Sequence, residues 1–211
     1  MATNPNMFQL VAFDPGGTIG WAHFTVHFRA FSRPENKVLR YVESWDCGEF
    51  SGTEREQIRD AIGLCYRARF EPLPYTSKMD VVTEDFDLVQ TIGGKELVSP
   101  LRINAVLDYE LITQCGGLQL HYQKRQARTQ ITPERLRAFG FEGRWGTSGR
   151  GKDSFAAMQH AVTWLRRLKA EADRRPWKLE SDSHTNAYWD CSCSRGSKRR
   201  MSHIHDLVHP Q

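Results

Sequence analysis

Three acidic residues stand at points where a strand or helix of this sequence begins or ends. Asp14 closes the apolar run "MFQLVAFD", Glu84 stands near the end of "MDVVTEDF", and Asp153 opens the helical segment "KDSFAAMQHAV". Clustered carboxylates repel one another, and hard divalent cations remove that repulsion. Two such ions about 4 Å apart can activate water and stabilise the leaving oxygen of a phosphodiester. The three acids therefore indicate a site for Mg²⁺, with Mn²⁺ as a substitute and two ions per site.

Each acid also has an ordinary structural explanation. Asp14 begins an Asp-Pro-Gly sequence that is typical of turns. Glu84 can be a solvated strand end, and Asp153 can cap a helix whose dipole favours a carboxylate at its start. The position of all three at element ends, rather than any one of them, favours the metal-site interpretation.

The elements that position these acids follow from the spacing of apolar residues. Strands are predicted at 7–14, 20–31, 37–50, 79–86 and 117–123, and helices at 53–70, 93–115, 131–140 and 152–175. The order βββαβαβαα predicts an α/β fold: three antiparallel strands, then parallel strands, in a mixed five-stranded sheet with helices on both faces. The second helix has a predicted apolar stripe of Ile103, Val106, Leu107, Leu111 and Ile112. If the first and fourth strands are parallel neighbours, Asp14 and Glu84 meet at the edge where such sheets bind ligands.

Length and charge limit the remaining possibilities. We predict one domain at residues 1–175, followed by a basic, flexible tail at 176–211. Residues 1–120 carry 11 Lys/Arg against 16 Asp/Glu, whereas residues 121–211 carry 18 against 9. This asymmetry suits metal-binding carboxylates beside a polyanion, and it also suits a merely solvated basic face.

Membrane and disulfide patterns are absent from the sequence. No apolar stretch is long enough to span a bilayer, and the first residues do not form a signal-peptide pattern. The five cysteines are an odd number spread along the chain, which indicates reduced thiols rather than a disulfide framework. We therefore expect a cytoplasmic protein without a membrane partner.

The segments "FDPGGTIGWA", "VVTEDF" and "KDSFAAMQHAV", in this order, resemble the acidic motifs of RuvC-like Holliday junction resolvases in the RNase H-like superfamily. The resemblance covers about residues 7–170. It is greatest for members encoded by bacteriophages, which would place the protein in the host cytoplasm. It implies an RNase H-like fold and a Mg²⁺-dependent endonuclease that acts on branched DNA as a homodimer. It also assigns catalytic and metal-binding roles to Asp14, Glu84 and Asp153.

The fourth ligand is where this sequence departs from the family pattern. Resolvases of this family often have a second acid or a histidine one turn before the last aspartate, and this sequence has Arg150 there. Asp85 or Asp87 can substitute, or three acids can suffice. His160, two turns after Asp153, is interpreted as a packed helix residue.

Basic residues follow the fifth strand and flank the last acid. Their side chains can position phosphates, and an aromatic ring among them can stack on an unpaired base near a branch point. Lys152, next to Asp153, can stabilise charge in the transition state. A solvated loop is the alternative explanation for the second group. The residues predicted to contact DNA are Lys124, Arg125, Arg128, Arg144, Trp145 and Arg150.

The tail has two explanations of its own. Cys191, Cys193, His203, His205 and His209 offer zinc ligands, but most of their spacing departs from the usual pattern. We favour a basic arm that adds non-specific DNA affinity.

Other functions are compatible with parts of the pattern. A flap or other structure-specific endonuclease would use the same acids, and a DNA-binding protein that has lost a metal ligand would retain the fold. "DPGGT" also looks like the first phosphate motif of sugar kinases and actin-like ATPases. Those folds need a second Gly-rich phosphate turn and a second domain, and no P-loop spacing is present either. We therefore predict no nucleotide cofactor.

Overall fold

The computed structural model describes residues 7–27, 42–70, 78–86, 98–142, 145–146 and 151–174. Five strands form one sheet: β1 (Met7–Asp14), β2 (Ile19–His27), β3 (Val42–Phe50), β4 (Met79–Asp85) and β5 (Leu120–Lys124). The helices are α1 (Glu54–Phe70), α2 (Val98–Gln114), α3 (Arg125–Arg128), α4 (Pro133–Ala138) and α5 (Lys152–Arg174). The predicted tail at 176–211 lies outside the described residues, so the domain boundary stays a prediction.

The sheet has the predicted mixed topology. Its order is β3-β2-β1-β4-β5. The first three strands form an antiparallel meander, whereas β1 pairs with β4, and β4 with β5, in parallel. The fold class predicted from the sequence is therefore confirmed.

The start of β5 differs from the prediction, and the structure has one helix, α3, that the sequence did not predict. β5 begins at Leu120 rather than at Gly117. The reason is that Gly116 and Gly117 both have positive φ, and this turn ends α2 before the next strand starts. The single-turn helix α3 was not predicted.

Helices cover both faces of the sheet, as predicted. Along β1, Leu10 and Ala12 pack in a core beneath α5, whereas Val11 and Phe13 pack in a second core beneath α1 and α2. β1 is therefore buried on both sides. The first seven of its eight residues are buried, and Asp14 is the least buried.

The apolar stripe of α2 is narrower than the sequence predicted. Ile103, Leu107 and Leu111 are fully buried, Val106 is half-buried, and Ile112 is 52% exposed. The buried residues Ile103, Leu107 and Leu111 are four apart and form one row along the helix. Ile112 lies outside this row, on the side of the helix that faces solvent. Ile112 therefore belongs to the apolar stripe of the sequence but not to the core of this chain.

Local signals fix the helix starts. Thr53 and Glu56 form the predicted capping box of α1: the Thr53 backbone N–H donates to Glu56 Oε2 at 2.8 Å. The Thr132 side chain accepts from the Arg135 N–H at the start of α4, as predicted. In the part of the chain that the structure describes, no helix is both long and apolar enough to cross a membrane. Cys47, Cys65 and Cys115 are buried and are not joined in disulfides.

Candidate metal centre

Asp14 and Glu84 meet because β1 and β4 are parallel neighbours. Phe13 lies opposite Thr83 in this pairing, so the two acids that follow leave the sheet at the same edge. Ala12 and Val82, two residues earlier, both belong to the core beneath α5. Because side chains alternate along a strand, the two carboxylates also point to the α5 face.

Polar contacts hold the backbone at this edge. Gln57 of α1 accepts from the Ile19 N–H at 2.7 Å and donates to the Gly17 carbonyl at 3.1 Å, which ties down the turn after Asp14. Asn104 of α2 donates to the Glu84 carbonyl at 3.0 Å. The two acids therefore stand on anchored backbone, which suits a preorganised site.

His160 of α5 completes a cluster with these acids. One ligand atom each from Asp14, Glu84 and His160 lies within 4.8 Å of the others. The Nε2 atom of His160 is 3.3 Å from Glu84 Oε2, and the imidazole is fully buried. From the sequence His160 is interpreted as a packed helix residue, and it is packed, but it also faces the two acids. The signal that could have found it is its position seven residues after Asp153, which puts both on one helix face.

Gln123 of β5 orients the imidazole. Its Oε1 is 2.6 Å from His160 Nδ1, and the Gln123 side chain is buried. In one neutral tautomer Nε2 carries the proton and donates to Glu84 Oε2. In the other, Nδ1 donates to Gln123 Oε1 and leaves the Nε2 lone pair available to a metal ion. Metal-binding histidines are commonly fixed in this way by a partner on the other ring nitrogen.

Arg128 lies between the two carboxylates. Its Nη1 is 2.9 Å from Asp14 Oδ1, and its Nη2 is 3.0 Å from Glu84 Oε2. The guanidinium is 12% exposed, against 15% for Asp14 and 4% for Glu84. The Arg128 side chain therefore bridges two of the acids that the sequence predicts as metal ligands.

Asp153 lies beside this cluster rather than within it. It stands in the first turn of α5, and its backbone N–H donates to Glu49 Oε1 of β3 at 3.0 Å. Its charge contributes to raising the pKa of Asp14. Glu49 is a further acid beside the cluster, and its place near the end of the third strand in "WDCGEF" is the signal in the sequence that could have found it.

The close approach of α5 depends on Gly20. A Cβ atom built at Gly20 would lie 2.0 Å from the Asp153 carbonyl oxygen and 2.1 Å from its carbonyl carbon. Gly20 pairs with Asp14 across β1 and β2. The glycine therefore lets the start of α5, with Asp153, pack directly over the strand beside Asp14.

Burial and charge shift the pKa values of the cluster in different directions. Burial, then the neighbouring Glu84 and Asp153, raises the pKa of Asp14 to about 7, and Arg128 opposes this. Burial alone would raise the pKa of Glu84, but the His160 hydrogen bond and the Arg128 charge hold it below its usual value. Burial lowers the pKa of His160, and burial together with the Glu49 charge raises that of Asp153. The cluster thus pairs a neutral imidazole with an acid that holds a proton near neutral pH.

Metal-free protein should lose stability as the pH rises toward neutrality. Because the pKa of Asp14 is raised to about 7, the folded chain binds a proton that the unfolded chain releases at lower pH. This contribution is fully present below the unfolded pKa and is lost as the pH rises through about 7. His160 acts in the opposite direction, because its lowered pKa costs stability as the pH falls through its ordinary range.

The difference between wild type and Asp14→Asn isolates the Asp14 contribution. Urea denaturation in EDTA from about pH 5 to about pH 8 measures it. We expect wild type to lose stability relative to the variant as the pH rises. A difference that stays constant with pH would show that Asp14 titrates normally.

The donor set fits a hard divalent cation. Two carboxylates and one imidazole suit Mg²⁺, and suit Mn²⁺ better because it accepts nitrogen more readily. Asp14, Glu84 and His160 can hold one ion. Asp153 and Glu49 are the acids beside them that could serve a second.

The other predicted site residues are distributed around this edge. Lys124 and Arg125, at the junction of β5 and α3, and Lys152, the first residue of α5, are exposed. Trp145 packs against Phe155 and donates from Nε1 to the Phe141 carbonyl at 3.2 Å. Base stacking by Trp145 stays a prediction.

The remaining candidates do not join the cluster. Asp85 is exposed and, by strand alternation, lies on the opposite face from Glu84. Arg144, Arg150, Asp87 and the cysteines and histidines of the tail lie outside the described residues.

Comparisons with known proteins reveal likeness at the level of structure. No family model matches the chain, and no curated protein matches its sequence. Fifteen chains of solved structures match. One is Thermus thermophilus RuvC in complex with a Holliday junction substrate, with 12% identity and a TM-score of 0.50 over 77% of this chain and 96% of that one.

Two further matches have lower TM-scores. A second Thermus thermophilus RuvC structure has 13% identity and a TM-score of 0.43, over 78% of this chain and 97% of that chain. The yeast mitochondrial Holliday junction resolvase has 9% identity and a TM-score of 0.45, over 83% and 84%. The RuvC–junction complex thus carries the comparison, and it shows a shared RNase H-like α/β fold. The closer likeness to bacteriophage proteins that the sequence predicted is not supported.

Proposed function

We propose that the protein is a divalent-metal-dependent endonuclease that hydrolyses phosphodiesters in branched DNA. The observation that carries this proposal is the convergence of Asp14, Glu84 and His160 at one edge of a RuvC-type sheet. The fold alone does not fix a function. The chemistry of the donor set at the carboxyl ends of the parallel strands supplies the argument.

The side chains divide into two roles. Asp14, Glu84 and His160 would bind the ion, with Asp153 beside them for a second. When bound, such an ion supplies Lewis acidity and lowers the pKa of a bound water molecule. Gln123 keeps the His160 ring oriented. Lys152, exposed at the start of α5, would stabilise charge that develops on the phosphate.

The DNA would lie across the basic edge beside the cluster. Lys124 and Arg125 are exposed next to Arg128, so their charges can bind the phosphate backbone that enters the site. The basic tail at 176–211 would add salt-sensitive affinity. A homodimer would supply the two sites that paired nicks in a four-way junction require.

Arg128 also favours a second candidate function. Its ion pairs with Asp14 and Glu84 neutralise part of the charge that would attract a metal ion. In a DNA-binding protein that retains the fold without cleaving DNA, Arg128 would stay paired with Asp14 and Glu84 permanently. Cleavage on addition of metal separates the two candidates.

A panel of labelled substrates tests the proposed specificity. Four-way junction, flap and linear duplex would be incubated with protein and Mn²⁺, and the cut positions mapped. Symmetric nicks in the junction are expected. Cuts confined to the flap would assign a flap endonuclease instead, and junction binding without any cut would assign the non-catalytic alternative.

His160→Ala should weaken both metal binding and cleavage. The change removes the nitrogen that lies 3.3 Å from Glu84 Oε2 and leaves Gln123 without its partner. We expect the cleavage rate in Mn²⁺ to fall about 100-fold. His121→Ala is a matched control, because His121 faces the same helix but lies beside Asp80 and Trp164. Equal rates for the two variants would exclude His160 as a ligand.

A further inference from the structure

We propose that Arg128 is an internal counter-ion of the metal-free site, which a divalent cation must displace before it can bind. This inference rests on the proposed function, because it concerns the same carboxylates. It adds that the site alternates between an arginine-closed state and a metal-loaded state. The displaced guanidinium then becomes available to a DNA phosphate.

The contacts place Arg128 in competition with a metal ion for the same carboxylates. Glu84 Oε2 forms an ion pair with Arg128 Nη2 at 3.0 Å and is also the oxygen that faces His160 Nε2. Asp14 Oδ1 accepts from Nη1 at 2.9 Å. An ion held by Asp14, Glu84 and His160 needs oxygens on this side of the pair. A metal ion bound there would lie close to the Arg128 guanidinium, and two cations repel each other strongly in a site of low exposure.

The energetics of the pair explain why an arginine is present. Two neighbouring carboxylates of low exposure are costly without a counter-charge, and the Asp14 and Glu84 side chains are only 15% and 4% exposed. The guanidinium has the planar geometry to donate to both carboxylates at once. It therefore stabilises the protein before metal is available.

The backbone beneath Arg128 is anchored, so the side chain is the part that can move. The Arg128 carbonyl accepts from the Ile131 N–H at 2.9 Å, and the Ile131 carbonyl accepts from Gln159 of α5 at 2.6 Å. On the outer side of α3, Arg125 and Gln126 are exposed. A swing of the Arg128 side chain toward that surface joins it to Lys124 and Arg125, where phosphates are predicted to bind.

Mn²⁺ titration calorimetry on metal-free protein tests the displacement. Arg128→Gln removes the competing charge, so we expect Mn²⁺ to bind about tenfold tighter or more than to wild type. Arg125→Gln is the matched control, because it removes the same charge from the same helix and Arg125 is exposed. The Mn²⁺ affinity of Arg125→Gln should differ from that of wild type by less than about twofold.

The possible results separate the two proposals. Equal or weaker Mn²⁺ binding by Arg128→Gln, with wild type binding normally, would overturn the displacement and leave the nuclease proposal intact. Absence of Mn²⁺ binding to both proteins would overturn both proposals.

A second measurement uses wild type alone, in case Arg128→Gln does not fold. Phenylglyoxal modifies accessible guanidinium groups, and peptide mass spectrometry locates the modified arginines. We expect modification of Arg128 to rise severalfold when Mn²⁺ is added, whereas that of Arg125 stays constant. An Arg128 signal that does not rise in Mn²⁺ would refute the displacement.

Discussion

Asp14→Asn is expected to reduce the metal-dependent cleavage rate of a four-way junction about a thousandfold or more, equivalent to ~4 kcal/mol in activation free energy. Asp14 belongs to the cluster with Glu84 and His160, and the charges of Glu84 and Asp153 help to raise its pKa. An amide keeps the shape but removes the negative charge that holds a cation. Single-turnover cleavage in saturating Mn²⁺ measures the effect.

Asp85→Asn is the matched control for this charge removal. Asp85 also ends a strand at this edge, but it is exposed and lies on the opposite face from Glu84. Its rate should stay within about threefold of wild type. Thermal melting of both variants in EDTA shows that they are folded. An Asp14→Asn rate above a tenth of the wild-type rate would remove Asp14 from the proposed centre.

Gly20→Ala is expected to lower the free energy of unfolding by about 3 kcal/mol or more. The added Cβ would lie 2.0 Å from the Asp153 carbonyl oxygen and 2.8 Å from the Ser154 nitrogen. Both are backbone atoms of α5, so no side-chain rotation can relieve the clash. The start of α5 must move away from the sheet, and Asp153 moves with it. Urea denaturation measures the loss, and junction cleavage should fall as well.

Gly17→Ala is the control within the same motif. A Cβ at Gly17 meets nothing within 4 Å, so its effect on stability should stay within about 0.5 kcal/mol. If the two variants are equally stable, close packing of α5 over Gly20 is not what positions Asp153.

The sheet and two of its acids could be predicted from the sequence because their signals are local. An apolar run that ends in an acid predicts a buried strand with a carboxylate at its carboxyl end, where α/β sheets bind ligands. Asp14 and Glu84 both stand at the end of such a run. Parallel pairing of β1 with β4 then brings them together. The capping box at Thr53 and the cap at Thr132 are local in the same sense.

The rest of the candidate site depends on how α5 and α3 dock. Helical periodicity shows that His160 and Asp153 share a face, but it does not show how far along the sheet α5 lies. That position is set by Gly20 and by the Glu49 contact, which no residue within α5 reveals. Arg128 was predicted as a DNA contact, and only the tertiary structure shows that it bridges the acids.

Apolar side chains illustrate the same limit. Ile112 continues the apolar stripe of α2 in the sequence, yet it is exposed. Burial depends on which part of the helix surface is covered by other elements, and the stripe alone does not show that. For Trp145 the sequence predicts stacking on a base, which stays a prediction, and it gives no sign of the contact with Phe155 that the structure shows.

Junction cleavage started by metal tests the central claim most directly. Purified protein would be mixed with a labelled four-way junction in EDTA, and then excess Mg²⁺ or Mn²⁺ would be added. We predict no cut in EDTA and paired nicks near the branch point after either metal. A junction that is bound but stays intact in both metals would contradict the account, because Asp14, Glu84 and His160 would then not form a working metal centre.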